Sequence, residues 1–143
     1  MKAILQRVTE AKVEVDSKTV GEIDTGFLIL LGVENGDTEK EADALAAKIA
    51  GLRIFTDEND KMNLSLKDVN GELLIVSQFT LYADTKKGNR PSYIEAMKSD
   101  QAKILYNLWN QKLRELIPVE TGVFGADMKV SITNDGPITI MLE

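Results

Sequence analysis

Apolar and polar residues alternate near both ends of the chain, a pattern typical of strands that bury one face. Residues 1–8 and 11–15 are predicted as strands, and residues 16–18 as the hairpin turn that follows them. The segment 26–33 is short, apolar and bounded by glycine, which predicts a strand buried on both faces.

Helical periodicity occurs in two segments. Thr38 and Glu41 fit a capping box, and the apolar residues behind them recur at helical spacing, so a helix is predicted over residues 39–50. Ser99 is predicted to cap a longer helix over residues 100–117, which a proline ends.

Shorter segments complete the predicted order. Strands are expected at residues 52–55, 72–81, 119–124 and 128–142, and a short helix at residues 92–97. This order predicts an α/β fold with mixed, largely antiparallel sheets in a layered or barrel-like β core and two main helices packed on it. The length of 143 residues predicts a single domain, spanning residues 1–143.

Gly136 and Pro137 interrupt the alternation of the last predicted strand. Proline cannot donate a ladder hydrogen bond and glycine weakens a strand, so the pair does not favour strand stability. An X-Pro bond is also cis in about 5% of cases in folded proteins. With Asn134 and Asp135 before it, the segment fits a tight turn, and it equally fits an unusual backbone shape with a functional role.

Composition narrows the chemistry that the chain can perform. The absence of cysteine and histidine excludes disulfides, thiolate nucleophiles, Cys-ligated zinc and a Ser-His-Asp triad. Catalysis would have to use hydroxyls, carboxylates, lysines, backbone amides or groups of the substrate. The net charge of −6 argues against broad nucleic-acid binding but allows a small basic patch. No carboxylate cluster indicates a metal site.

The chain has no segment that predicts membrane contact. Its longest apolar run, residues 26–33, is well below the ~18 residues of a membrane span. Arg7 and Glu10 lie where a signal peptide has an unbroken apolar stretch. We therefore expect a cytoplasmic protein.

Ser77, Gln78 and Thr80 bring hydrogen-bonding side chains into an otherwise apolar segment. At a strand end such residues can line a polar pocket, where backbone amides that leave the ladder bind an oxyanion. An edge strand whose polar side chains face water fits the same residues. The segment alone does not decide between the two.

The densest cluster of cations in the chain consists of Lys86, Lys87 and Arg90, which we call the basic loop. A positively charged loop suits phosphate binding, and a solvated loop without a ligand fits equally well. Arg7 lies inside the first predicted strand. If its side chain points inward it needs an acceptor, which backbone carbonyls around Gly136 would supply.

Two motifs together resemble those of the D-aminoacyl-tRNA deacylase family, whose members free D-amino acids from tRNA. The family's Ser-Gln-Phe-Thr motif matches residues 77–80, and its Asn-x-Gly-Pro-Val/Ile-Thr motif matches residues 134–139. Residues 88–92 and 121–128 are also similar to the family. The resemblance spans the whole chain.

The resemblance implies a homodimer in which Gly136 and Pro137 of one subunit, joined by a cis bond, enter the active site of the other. Their carbonyls would hold the substrate amino group, so that an L side chain meets backbone while a D side chain points outward. Glycine would pass, which implies action on glycyl-tRNA mischarged on tRNA-Ala. Arg7 would fix the direction of the motif, and Asn134 would belong to the same substrate-binding set.

The resemblance places catalysis at Ser77, Gln78, Phe79 and Thr80, with no cofactor. In one mechanism, backbone amides near Phe79 and Thr80 stabilise the oxyanion, and the 2′-hydroxyl of the terminal adenosine helps to activate water. In the other, Thr80 attacks the ester and forms an acyl-enzyme. We favour the first, because the sequence gives Thr80 no nearby base.

The resemblance also implies contacts with the acceptor 3′ end of aminoacyl-tRNA. Ala102, Phe124 and Met128 would line an adenine pocket, although ordinary core positions would suit the same residues. The basic loop would meet the acceptor-end phosphates through a few contacts, which reconciles tRNA binding with the negative net charge. A noncatalytic dimeric RNA-end binding module, using the same pockets, is the alternative function.

Overall fold

A computed structural model describes all 143 residues. The fold is mixed α/β, as predicted: a six-stranded sheet curls into a nearly closed barrel, and two helices pack against it. A small hairpin of two further strands lies apart from this sheet. The elements are β1 (Lys2–Val15), β2 (Lys18–Ile23), β3 (Gly26–Gly32), α1 (Glu39–Gly51), β4 (Phe55–Thr56), β5 (Met62–Leu64), β6 (Glu72–Ser77), a 3-10 helix (Phe79–Tyr82), α2 (Ser99–Arg114), β7 (Val119–Thr121) and β8 (Lys129–Leu142).

Strand β1 holds the sheet together. Its first half pairs with β3 and its second half with β2, while β8 pairs along its other edge, all antiparallel. Strands β6 and β7 continue the sheet beyond β3 in parallel orientation. Strand β2 closes onto β7, since a Cβ atom at Gly21 would lie only 2.6 Å from the carbonyl oxygen of Thr121.

Strands β3 and β6 are buried on both faces of the sheet, which explains their continuous apolar runs. Alternate residues such as Phe27 and Ile75 belong to the larger core that contains the helices. Their neighbours, such as Leu28 and Leu74, fill the barrel interior together with residues of β1 and β2. The period-two alternation therefore divides one apolar strand between two cores.

Helix α1 begins with the predicted capping box. The carboxylate of Glu41 accepts from the Thr38 hydroxyl at 2.6 Å and from the Thr38 backbone N–H at 2.7 Å, and these two hydrogen bonds lower the pKa of Glu41. Helix α2 contacts α1 through Lys112, whose ammonium bonds Glu39 at 3.1 Å and also Asp43. The predicted helix over residues 39–50 is confirmed.

The segment over residues 92–97 is not the predicted helix. Its backbone bonds to the segment that follows β3: the N–H of Met97 donates to the carbonyl of Val33, and the carbonyl of Glu95 accepts from the N–H of Asn35, both at 2.9 Å. These bonds use groups that a helix would need for its own ladder. The predicted Ser99 cap is also wrong, because α2 starts at Ser99 and Lys98 precedes it without a side-chain cap bond.

Several strand boundaries also differ from prediction. The two strands expected over residues 1–15 are one continuous strand, and the strand expected over 72–81 ends at Ser77, where the chain coils into the 3-10 helix. Only Phe55 of the segment 52–55 enters a strand, and β7 stops at Thr121.

Helix α2 is expected to stabilise the fold through one buried face. Leu113 is fully buried, so Leu113→Ala should lower the free energy of unfolding by about 2–5 kcal/mol through lost contacts and a residual cavity. Ile104, on the same helix, is 72% exposed, and Ile104→Ala should change it by less than about 0.5 kcal/mol. Urea unfolding of both variants measures the difference, and equal effects would contradict the packing.

Candidate active site

The end of β6 creates two free backbone donors. After Ser77, the N–H of Gln78 still donates to the carbonyl of Leu31 at 2.7 Å, and the chain then coils into the 3-10 helix. The N–H groups of Phe79 and Thr80 have no acceptor within the chain. Such amides at the start of a helical turn lack an internal partner and are free to bind an oxygen of a ligand.

The Thr80 hydroxyl is held by an amide and not by a base. Gln78 Nε2 donates to Thr80 Oγ1 at 2.5 Å. An amide donor lowers the electron density available on the hydroxyl oxygen and cannot remove its proton. This geometry orients the Thr80 side chain without activating it as a nucleophile.

A cavity of about 520 Å³ opens beside this turn. It lies between the ends of β3 and β6, the first turns of α2, and the segment that leads into β8. Of its 17 lining residues, 13 are hydrophobic, so it suits a flat apolar group rather than a strongly charged one. The site residues predicted from the sequence that line it are Ser77, Gln78, Phe79, Ala102, Phe124 and Met128.

Three contacts shape the wall of this cavity. The Tyr106 hydroxyl donates to the carbonyl of Ile75 at 3.1 Å, and burial raises the pKa of Tyr106, so its phenol stays neutral. Phe124 tilts against Tyr106 with ring centroids 5.3 Å apart. Met128 lies over Gly122, where a Cβ atom would come within 2.6 Å of the Met128 sulfur.

Gly136 and Pro137 project from the sheet at a break in strand register. Gln6 pairs with Thr139 and Val8 with Asn134, so four residues of β8 stand opposite the single residue Arg7. We call these four residues, 135–138, the projecting turn. The Gly136-Pro137 bond is cis, and Gly136 has a φ of +122° that side-chain-bearing residues rarely adopt.

Arg7 is buried and holds the projecting turn through its bonds to Asp135. Its Nη1 donates to the carbonyl of Ile54 at 2.7 Å, and its Nε donates to the carbonyl of Asp135 at 3.3 Å and pairs with the Asp135 carboxylate at 3.2 Å. The guanidinium also stands 6.0 Å from the ring centroid of Phe55. Arg7 therefore ties the turn to the segment between α1 and β4.

Asn134 closes the base of the projecting turn. Its Oδ1 accepts from the N–H of Ile138 and its Nδ2 donates to Thr139 Oγ1, both at 3.2 Å. Gln6 Nε2 donates to the same Thr139 hydroxyl at 3.3 Å. A Cβ atom at Gly136 would lie 2.9 Å from Cγ1 of Ile138, so the turn leaves no room for a side chain there.

Apart from the basic loop, the predicted site residues lie in two groups. Six of them line the cavity, and Thr80 belongs to the turn beside it. The residues of the projecting turn and its supports do not line the cavity of their own chain; they are Arg7, Asn134, Gly136 and Pro137. Within one chain, the two motifs of the sequence therefore do not form a single pocket.

The basic loop lies on an excursion closed by two backbone bonds between Asp84 and Ser92, at 2.8 and 2.9 Å. All three of its cationic side chains are exposed, and none forms an ion pair within the chain. Lys86 borders a second, separate cavity of about 440 Å³. Exposed and unpaired cations of this kind are available to a polyanion.

Tyr93, which was not predicted from the sequence as a site residue, also lines the cavity of about 520 Å³ beside β6. Tyr93 and Phe79 meet edge to face, with ring centroids 5.1 Å apart and an interplanar angle of 70°. The signal in the sequence was an aromatic residue next to the polar segment 88–92. The wrongly predicted helix over residues 92–97 concealed it.

Two general features of the surface bear on ligands. No group of three or more His, Cys, Asp or Glu side chains is placed to hold a metal ion. No helix has the length and apolar character needed to cross a membrane.

Comparison with known proteins identifies the family. The family model described as D-Tyr-tRNA(Tyr) deacylase matches residues 4–143. A D-aminoacyl-tRNA deacylase of Lactobacillus acidophilus is 57% identical over 100% of this chain and 99% of its own length, and one of Finegoldia magna is 54% identical over 100% and 97%.

Solved structures agree in fold. One described as c-Myc DNA Unwinding Element Binding Protein has a TM-score of 0.95 and 44% identity, covering 100% of this chain and 98% of its own. A probable eukaryotic D-amino acid tRNA deacylase has a TM-score of 0.83 at 18% identity, covering 99% and 97%, and shows a shared fold. The chain belongs to the D-aminoacyl-tRNA deacylase family, whose members are hydrolases that act on aminoacyl-tRNA.

Proposed function

We propose that this protein hydrolyses the ester bond of D-aminoacyl-tRNA, releasing the free D-amino acid and tRNA. The observation that carries the proposal is the pair of free N–H groups at Phe79 and Thr80 beside the apolar cavity. Attack on an ester carbonyl places negative charge on its oxygen, and two preorganised donors stabilise that charge. The family supplies the substrate class.

Water is the nucleophile in this proposal. It adds to the ester carbonyl, and the amides of Phe79 and Thr80 hold the oxyanion. The neighbouring 2′-hydroxyl takes a proton from the attacking water and passes its own proton to the departing 3′-oxygen, so the products are the free amino acid and a 3′-hydroxyl. The Thr80 hydroxyl accepts a hydrogen bond from Gln78 and faces no base, which supports a positioning role for Thr80. The chain has no histidine or cysteine that would act instead.

The cavity suits the terminal adenosine. Its volume of about 520 Å³ lies in the range of small-ligand pockets, which is roughly 300–1,000 Å³. Phe124 offers a ring to stack on adenine, Ala102 leaves space for the base, and Met128 supplies an adaptable apolar wall. The basic loop would meet nearby phosphates through at most three cations, so the net charge of −6 does not prevent binding.

Chirality is selected by the projecting turn acting in a second subunit. The turn does not line the cavity of its own chain, so its carbonyls reach a bound amino acid only from another copy. Strand β8, 14 residues long, pairs with β1 alone and leaves an open edge of the kind that proteins usually cover. A homodimer provides both the cover and the cross-subunit contact.

The same geometry extends the substrate range in one direction. In this proposal the carbonyls of Gly136 and Pro137 hold the amino group of the substrate amino acid. An L side chain then faces the protein backbone, while a D side chain points outward. Glycine has no side chain to reject, so glycyl-tRNA mischarged on tRNA-Ala is also a substrate in this proposal. Because charged tRNA is used by cytoplasmic ribosomes, we place the activity in the cytoplasm.

The proposed function predicts release of D-tyrosine from D-tyrosyl-tRNA, with L-tyrosyl-tRNA hydrolysed roughly 100-fold or more slowly because its side chain meets backbone. Acid-precipitable label on each charged tRNA measures both rates against a buffer blank. Charged D-tyrosyl-tRNA that is bound but left intact would instead identify a noncatalytic RNA-end binding module. Equal hydrolysis of both enantiomers would overturn the chirality rule alone.

A second prediction separates the two mechanisms. Thr80→Ala removes one hydroxyl and its hydrogen bond, so single-turnover hydrolysis should slow by only about 10-fold or less. Loss of a true nucleophile would slow it by roughly 10⁴-fold or more. Conversely, a substrate with a 2′-deoxy terminal adenosine should react roughly 100-fold or more slowly, since its proton relay is gone. An unchanged rate with that substrate would exclude assistance by the 2′-hydroxyl.

A third prediction tests the cross-subunit contact with two damaged chains. Ala102→Phe fills the cavity, and Gly136→Ala distorts the projecting turn at a φ of +122°. Each variant alone should hydrolyse D-tyrosyl-tRNA poorly. After mixing and refolding, a heterodimer combines the intact cavity of one chain with the intact turn of the other, restoring about a quarter of the wild-type sites.

Sedimentation of the wild-type chain and unfolding midpoints of both variants are the controls for this mixture. A turn that acted within its own chain would leave the mixture as inactive as its components. A monomeric wild-type protein would also contradict the cross-subunit arrangement, whatever the activities of the variants.

A further inference from the structure

Two aromatic rings stand at the mouth of the cavity, where they are poorly covered by the protein. Phe79 is 57% exposed and Tyr93 is 39% exposed, although both line the cavity. Their edge-to-face contact occupies at most one face of each ring. Apolar ring surface therefore faces solvent directly beside the proposed adenosine pocket.

The backbone that carries Tyr93 is anchored. Asn35 Nδ2 donates to the carbonyl of Ile94 at 2.7 Å, and the N–H of Asn35 donates to the carbonyl of Glu95 at 2.9 Å. On its other side, Ser92 pairs with Asp84 through two backbone bonds. Because the backbone is fixed on both sides of Tyr93, a ligand that stacks on its ring has only the side chain to order, which lowers the entropy cost of binding.

Tyr93 also lies along the chain between the basic loop and the cavity. Arg90 is three residues before it, and the exposed cations of that loop have no partner within the chain. An exposed aromatic ring next to cations is the combination by which proteins bind single-stranded nucleic acid, stacking bases on rings and contacting phosphates with cations.

We propose that Tyr93, together with Phe79, forms a stacking platform for the base of the penultimate nucleotide of the RNA 3′ end. This inference rests on the proposed function, in which the terminal adenosine fills the cavity. The chain leaving that adenosine emerges at the mouth, where the platform receives the next base. Because every base has a π face, the platform accepts the base without selecting its identity.

Binding of three nonhydrolysable amide analogues tests this platform. The first is 3′-deoxyadenosine that carries D-tyrosine through a 3′-amide. The second adds a 5′-linked cytidylyl residue, and the third adds the same sugar and phosphate without the cytosine base. Calorimetric Kd values then separate the contribution of the base from that of the phosphate.

For the wild-type protein, the cytosine base should tighten binding by roughly 5- to 100-fold relative to the abasic analogue. Tyr93→Ala should abolish most of this difference, and Tyr93→Phe should keep it because the ring remains. Ile94→Ala is the matched control: Ile94 is 76% exposed and does not line the cavity, so the difference should persist.

Equal Kd values of the wild-type protein for the cytidylyl and the abasic analogue would overturn the platform. It would also be overturned by a Tyr93→Ala variant that keeps the full difference in Kd between these two analogues and has an unchanged unfolding midpoint. A Tyr93→Ala variant that weakens all three analogues by the same factor would also overturn it, since Tyr93 would then serve only the cavity. Hydrolysis of D-tyrosyl-tRNA is measured separately, so a failure of the proposed activity is distinguishable from a failure of the platform.

Discussion

The antiparallel pairing of β1 with β8 is the constraint on which the rest of the structure depends. Over most of its length it is a regular ladder, yet at Arg7 one residue of β1 faces four residues of β8. Pairing resumes on each side of this mismatch, at Gln6 with Thr139 and at Val8 with Asn134, and this forces the extra residues out of the sheet. A second irregularity follows between Val8 and Glu10, so the projecting turn is a consequence of the local register of the two strands.

Arg7 makes that forced turn specific. A guanidinium that is 8% exposed needs acceptors, and the carbonyls of Ile54 and Asp135 supply them. The same bonds fix where the turn points, since moving the turn would leave a buried cation unpaired. The buried guanidinium of Arg7 therefore orients the projecting turn, although Gly136 and Pro137 have no polar side chain with which to hold it.

Sequence pattern predicted the parts of the fold that depend on local periodicity. The capping box of α1, the apolar face of α2 and the alternating strands follow from spacing alone, and they agree with the structure. The path of residues 92–97, which contains a turn at Ile94 and Glu95, depends on bonds to Val33 and Asn35, which are distant in sequence. Tyr93 was missed for this reason, since only tertiary pairing brings it to Phe79.

The chemistry of the site reflects a division between backbone and side chains. Oxyanion stabilisation and chiral selection in the proposed function both use peptide groups, whose positions are set by the sheet and cannot be changed by a single rotamer. In the same proposal, side chains contact the nucleic acid through an apolar cavity and a few exposed cations. An acidic protein would bind RNA in this way because the affinity comes from stacking and shape at one terminus rather than from an electrostatic field along many phosphates.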